Sequence, residues 1–263
     1  MPSPSAIVDI SVATIQGQLP APVIFGDWVM NHREFVVVRL RTQSGHEGWS
    51  FTLTRDGACA EQIRKSIAPV YVGTDIADRE KTFKTAKGRT YGSHSAGVGL
   101  RALSQVDLAA WDVAARMADK SIAEFLGGKT APMPATAIIG YPPALMNPQK
   151  IGEQVKGLYA EGWRRFKAPM GVTLDESEAR LRAARRNAPD AWLGTDLVWM
   201  FSDVDSAADY ANRIGDLDMG CIEDIFPPGN ARKLAELRMR VPMPIWPGDE
   251  QGGAYYPEAL IMA

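Results

Sequence analysis

RRFKAPMGVTLDESEARLRAARRNAPDAWLGTD, residues 164–196, holds two short apolar runs on either side of one charged, amphipathic stretch. The runs at 164–168 and 192–197 read as strands, and 175–187 between them reads as a helix. A strand, a helix and a second strand in that order make the unit from which parallel sheets are built. Each strand closes on a charged residue, Lys167 in the first and Asp196 in the second.

The same rhythm extends outward in both directions. A strand at 135–140 and a helix at 148–161 precede the unit. A helix at 203–215, a strand at 219–224, a helix at 230–239, a strand at 244–248 and the start of a helix at 256–263 follow it. Glu223 and Asp249 close the later strands, so charged strand ends recur about every 27 residues, one βα unit each time. An open doubly wound sheet would spread these ends along a line and place its ligand at a Gly-rich first turn. No strand–GxGxxG–helix unit opens this half. A β/α barrel instead brings all strand C-termini to one face, where residues one unit apart become neighbours.

Three carboxylates meeting at one point repel each other unless a cation neutralises them. Oxygen-only ligands favour a hard ion, and a site with room for water and substrate favours Mg²⁺ over Ca²⁺. The candidate metal ligands are therefore Asp196, Glu223 and Asp249, with Glu250 adjacent to the last. Lys167 stands one unit earlier as the candidate catalytic cation.

The first part of the chain reads as a mixed domain. Strands are predicted at 6–16 and, more strongly, at 35–42 (FVVVRLRT), which turns at Ser44-Gly45 into 46–52. Pro20, Pro22 and Gly26 make 17–32 read as a long loop. Helices follow at 57–68, 76–85, 103–118 and 121–126, with Ser104 and Asp107 resembling a capping box. Gly127-Gly128 stops the last helix, and Pro132 and Pro134 mark a boundary. The predicted fold class is α/β: an α+β N-terminal domain over 1–130, then a (β/α) barrel domain over 131–263 with about five βα units.

Composition narrows the function classes. The 263 residues are 46% hydrophobic and 23% charged with a net charge of -2, and no dense Lys/Arg cluster occurs. These values argue against a nucleic-acid partner. Cys59 and Cys221 cannot form a disulfide framework, which suits a reducing cytoplasm. No basic region precedes an apolar stretch at the start, and no apolar run reaches the roughly 18 residues of a membrane span. The expected location is cytoplasmic, with no membrane partner.

The motifs together resemble the enolase superfamily, in its mandelate racemase/muconate lactonizing enzyme branch. LSQVDLAAWDVAARMADKSIAEFLGG (103–128) resembles the segment leading into that family's barrel. FKAPMG (166–171) sits where the second barrel strand carries a lysine motif. LGTDLVW (193–199), CIEDIFPP (221–228) and PIWPGDE (244–250) resemble the acidic motifs of the next three strands. The resemblance implies that Asp196, Glu223 and Asp249 bind Mg²⁺, and that Lys167 is the first lysine of a Lys-x-Lys pair, touching the substrate carboxylate. It also implies abstraction of the proton α to a carboxylate through an enediolate, a small carboxylic acid as substrate, and a homo-oligomer.

The second lysine position is Pro169, which neither donates nor accepts a side-chain proton. That disfavours two-base racemisation and cycloisomerisation. It leaves dehydration of a sugar acid or other hydroxy acid as the leading expectation, with racemase, epimerase, cycloisomerase and a truncated non-catalytic remnant as alternatives. At about 27 residues per unit the chain stops in the fifth of eight units, and the remaining family strands are expected to lie beyond it.

The first domain would act as a cap, its loop 17–32 closing over the barrel mouth with Phe25 and Trp28 lining the substrate. Beside Mg²⁺ and partly buried, Lys167 is expected to have a lowered pKa. Trp49 and Trp111 read as core, His94 as a loop histidine, Cys221 as a buried small hydrophobe and Arg180–Arg186 as a solvated helix face. Asp224 is expected to point to the opposite side of its strand from Glu223.

Overall fold

The computed structural model describes residues 3–25, 28–89, 91–248 and 251–263; the side chains of Phe25, Trp28 and Tyr91 are also outside the described set. The chain divides into two compact units, 1–18 with 32–132 and 19–31 with 133–263.

Most of a three-stranded sheet of order β1-β2-β3 belongs to the first unit; it is formed by β1 (Ile7–Phe25), β2 (Trp28–Thr42) and β3 (Glu47–Leu53), with 19–25 and 28–31 assigned to the second unit. The stretch read as a loop at 17–32 is mostly strand. β1 is an edge strand, where prolines such as Pro20 and Pro22 need not supply a ladder donor. β2 alternates as its sequence predicts: Val36, Val38 and Leu40 are fully buried, while the residues between them face outward. β2 pairs antiparallel with β3, Arg39 opposite Trp49.

The buried face packs on helices. α1 (Cys59–Gln62) runs through a π-helical turn, Ile63–Ile67, into α2 (Ala68–Tyr71). α3 (Arg79–Arg89) and the short α4 (Tyr91–His94) lead to α5 (Gly97–Met117), whose Val106, Ala109, Ala110 and Val113 are all fully buried. α5 crosses β3 so closely that a Cβ on Gly48 would lie 2.1 Å from the Ala109 carbonyl oxygen. α5 begins at Gly97, so Ser104 lies inside the helix and caps nothing. The capping box is one helix later, where Ser121 and Glu124 close the N-terminus of α6 (Ile122–Phe125). Trp49 is 47% exposed rather than core: its side chain lies on the outer face beneath the Arg39 guanidinium. Trp111 packs edge-on against Phe125.

The second unit holds a five-stranded parallel sheet in sequential order, β4-β5-β6-β7-β8. The strands are β4 (Ala137–Ile138), β5 (Arg165–Pro169), β6 (Trp192–Asp196), β7 (Met219–Glu223) and β8 (Ile245–Trp246). Helices α7 (Pro148–Ala160), α8 (Leu174–Asn187), α9 (Val204–Arg213) and α10 (Ala231–Arg238) return the chain between strands, and α11 (Tyr255–Met262) follows β8. Asn147, Thr173 and Asp203 cap α7, α8 and α9 through their side chains, which explains why each helix starts where it does.

One face of this sheet makes the core. Phe166, Ala168, Leu193 and Ile222 are buried against Leu181, Ala184, Ala211 and Leu237 of the helices. By period-two alternation Arg165, Lys167 and Pro169 occupy the other face. Because the strands are parallel, the ends of β5, β6 and β7 share one edge. Among the described residues no helix is long and apolar enough to cross a membrane.

Candidate active site at the C-terminal edge of the parallel sheet

Register decides which side chains meet. Ile138, Lys167, Gly194 and Cys221 lie in one row across the sheet, and Pro169, Asp196, Glu223 and Trp246 lie in the row above. The charged members of these rows are the three that converge. The Lys167 ammonium donates to Glu223 Oε2 and lies 3.5 Å from Asp196 Oδ2. Their side chains are only 18%, 12% and 17% exposed, for Lys167, Glu223 and Asp196 respectively.

Burial pulls the Lys167 pKa down, but the hydrogen bond to Glu223 and the negative charge of Asp196 outweigh it, and the net shift is upward. The lowered value expected from the sequence is therefore not that of the chain with its carboxylates unclaimed by metal. Beside it, burial first and the Glu223 charge second push the Cys221 thiol up to about 12, which makes it an inert buried hydrophobe.

The strand ends are laced by backbone bonds beyond the regular ladder. Met170 N–H donates to the Asp196 carbonyl and Leu197 N–H to that of Glu223, each at 2.9 Å. Val198 N–H donates to Asp196 Oδ1 at 3.1 Å, which fixes one oxygen of that carboxylate. Val198 and Trp199 both have positive φ, 47° and 60°. Two consecutive non-glycine residues in this region mark a strained turn next to the charged cluster.

Beside the cluster, aromatic packing joins β6 to β8. Trp192 and Trp246 rings lie 5.3 Å apart, and the Arg165 guanidinium sits 4.2 Å from the Trp192 centroid. β7 carries a bulge here, since Leu193 pairs with Met219 but Gly194 pairs with Cys221. The unpaired Gly220 lies under the Trp192 indole, where a Cβ would come within 2.0 Å of Nε1.

Of the residues singled out from the sequence, Lys167, Asp196 and Glu223 are brought together. Asp249 and the adjacent Glu250 lie outside the described residues, as do the side chains of Phe25 and Trp28. Among the described residues no group of three His, Cys, Asp or Glu side chains is arranged as a metal cluster. The pair Asp196 and Glu223 nonetheless fits a hard cation: two carboxylates already share one positive nitrogen, and the set is oxygen-only.

Three readings are corrected. Arg180 is 1% exposed, not solvated; its guanidinium donates to Glu176 Oε1 at 2.6 Å, to the Pro143 carbonyl at 3.0 Å and to that of Met170 at 3.4 Å. It thereby ties α8 to the segments following β4 and β5. His94 is fully buried, with Nδ1 donating to the Ala86 carbonyl and Nε2 accepting from the Gln62 amide, a structural role in the first unit. Asp224 does not continue the alternation of β7: it follows the strand with φ 48°, and its carboxylate is buried on Gly248 N–H. Neither Arg180 nor Asp224 was legible as a site element, because a charge in a polar run gives no sign of burial.

Comparison with known proteins agrees with this arrangement in chain order. Residues 9–127 match the family model of the mandelate racemase/muconate lactonizing enzyme N-terminal domain, and residues 150–262 match the enolase C-terminal domain-like model. Among similar solved structures is a member of the enolase superfamily from Agrobacterium tumefaciens, 22% identical with a TM-score of 0.86, covering 98% of this chain and 71% of its own. A racemase from Streptomyces coelicolor A3(2) with bound magnesium is 22% identical with a TM-score of 0.88, covering 97% of this chain and 72% of its own. An enolase from Bradyrhizobium complexed with magnesium and mandelic acid is 21% identical with a TM-score of 0.84, covering 100% and 72%. At these identities the structures establish the shared fold. With both domain models matched in order, the chain belongs to the enolase superfamily, in its mandelate racemase/muconate lactonizing enzyme branch.

Proposed function

We propose that the protein uses Mg²⁺, held by Asp196, Glu223 and Asp249, to remove the proton α to the carboxylate of a small acid. The observation that carries this reading is the convergence of Lys167 on Asp196 and Glu223 at the shared edge of β5, β6 and β7. Magnesium complexes among the similar structures support the choice of ion. When bound, Mg²⁺ supplies positive charge at the substrate carboxylate, where negative charge builds as the proton leaves.

Lys167 is the residue assigned to the substrate: it steadies the carboxylate or takes the α proton, and its neighbours hold it at the right height. Pro169, in the row above it, cannot serve as a second base. One-base chemistry follows, and its product form is dehydration of a hydroxy acid, sugar acids included. With a 2,3-dihydroxy acid, Lys167 takes the α proton, the Cα–H electrons form the Cα–Cβ double bond, the Cβ–O bond breaks with its hydroxyl accepting a proton to leave as water, and the remaining enol tautomerises to a 2-oxo acid. In this reading Phe25 and Trp28 remain the candidate substrate-lining residues, and the chain assembles with copies of itself.

The test is incubation with Mg²⁺ and a panel of hydroxy acids in D₂O, followed by proton NMR. Loss of the α-proton signal with appearance of a 2-oxo product supports dehydration; washout with return of substrate supports racemisation. Turnover unchanged in Lys167→Met or Glu223→Gln overturns the assignment. Pro169 at the second-lysine position favours a second reading, a non-catalytic member that keeps the fold. Calorimetry separates the two, because that member would not bind Mg²⁺ through Asp196 and Glu223.

A further inference from the structure

Beyond Glu223 the regular pairing of β7 with β8 ends, since the last partners are Glu223 and Trp246. The chain past that point would be free to leave the sheet. Asp224 holds it. Its N–H donates to the Trp246 carbonyl at 3.0 Å, and its own carbonyl accepts from Trp199 N–H at 2.6 Å. Its Oδ1 accepts from Gly248 N–H at 2.8 Å, and the residue is 5% exposed. The left-handed turn at φ 48° swings the side chain sideways, so that a carboxylate oxygen supplies the acceptor a continuing strand would have offered. Aspartate tolerates this conformation better than most residues.

Two of these bonds reach the end of β8, at Trp246 and Gly248, and one reaches the segment after β6, at Trp199. Through Trp199 it reaches the strained turn whose Val198 N–H orients the Asp196 carboxylate. Through Gly248 it reaches the residue that directly precedes Asp249 in sequence. Through the chain itself it adjoins Glu223. Gly248 is confined on its other side, where a Cβ would meet the Tyr256 ring at 2.9 Å. We propose that Asp224 is a positioning residue: its buried carboxylate and its turn set the mutual placement of the three segments that carry Asp196, Glu223 and Asp249. The inference rests on the metal-binding reading above.

The experiment uses the full chain and three variants. Asp224→Asn keeps an acceptor oxygen and the taste for a left-handed turn. Asp224→Ala loses both. Asp224→Gly loses the acceptor but fits the turn without strain. Magnesium affinity by calorimetry is expected to stay within about threefold for Asp224→Asn and to fall about tenfold or more for Asp224→Ala and Asp224→Gly, the range seen when groups orienting metal ligands are removed. Hydrogen exchange of the peptide containing Gly248, measured in EDTA, is expected to speed up in the same two variants only, and Asp224→Gly is expected to melt above Asp224→Ala. Wild-type affinity in Asp224→Gly overturns the proposal. So does a loss in Asp224→Asn equal to that in Asp224→Ala, or a loss that only follows melting temperature. A folded wild type that ignores Mg²⁺ removes the metal reading itself, and this inference with it.

Discussion

Replacing Arg180 by methionine should be among the most damaging single changes outside the charged cluster. The side chain is 1% exposed and its Nη2 lies 2.6 Å from Glu176 Oε1. At that distance the gross attraction is about 6 kcal/mol for an effective dielectric of 20. Desolvation of the guanidinium opposes most of it, and the Nε atom adds to that cost, being buried without a hydrogen-bond partner. The net value of such a pair can be near zero, yet breaking it by removing one partner still costs about 3–5 kcal/mol. Here the Pro143 and Met170 carbonyls also lose their donor, so the upper part of that range is expected. Methionine fills most of the volume, which limits any added cavity term. Urea unfolding of wild type, Arg180→Met, Glu176→Gln and the double variant would give the coupling energy directly. Glu176→Gln, 28% exposed on its side chain, keeps one acceptor oxygen for two donors, Arg180 and Val172 N–H, and leaves the buried guanidinium charge unpaired, so the lower part of the same range is expected. A loss below about 1 kcal/mol in Arg180→Met would refute the argument that this guanidinium binds α8 to the two strand-end segments.

Other expectations concern neighbouring and distant features. Lys167→Met should destabilise the metal-free chain by about 3 kcal/mol or more, since Asp196 and Glu223 lose their shared cation. Millimolar Mg²⁺ should then raise its melting temperature more than that of wild type, and an equal rise would count against the shared site. Gly220→Ala should cost at least about 1–3 kcal/mol by forcing Trp192 off its place, visible as a red shift in tryptophan emission together with a lower melting temperature. Asp107 on α5 has its pKa raised to about 6, by burial first, against the opposing Trp111 hydrogen bond and Arg79 charge. A carboxyl with a higher pKa in the folded state contributes stability below its unfolded value near 4 and loses it as pH rises through about 6. After discounting for partial exposure, about 1–2 kcal/mol should disappear over that window. Asp107→Asn should flatten this slope in thermal melts taken from pH 4 to 7, and an unchanged slope would show that other groups set it.

The parallel half of the fold was readable because its signals are local and agree. Phe166, Leu193 and Ile222 alternate with residues of the other face, and strand and helix follow one another about every 27 residues. Lys167, Asp196 and Glu223 were legible for a further reason: spacing by one βα unit becomes adjacency once the strands are parallel and in register. The strand character of 17–25 and 28–32 was not legible, because Pro20 and Pro22 read as strand breakers until β1 is known to be an edge. The start of α5 was hidden by Gly97 and Gly99, which suggest a loop. Arg180 and Asp224 were missed for a different cause. Whether a charge in a polar run is solvated or buried depends on segments far along the chain, Pro143 for the one and Gly248 for the other.

The rows of side chains around Lys167 carry a consequence for selectivity. Apart from the charged three, their described members are Ile138, Pro169, Gly194, Cys221 and Trp246, of which only Trp246 carries a fixed hydrogen-bond donor, its indole N–H, that could read a substrate hydroxyl. Such a lining sorts ligands by size and shape, and each methylene then separates competitors by only about 10–200-fold. A sharp preference among stereoisomeric polyols would have to be written by residues on other strands or loops, and changing Ile138 to a hydrogen-bonding residue is the shortest route to writing it here.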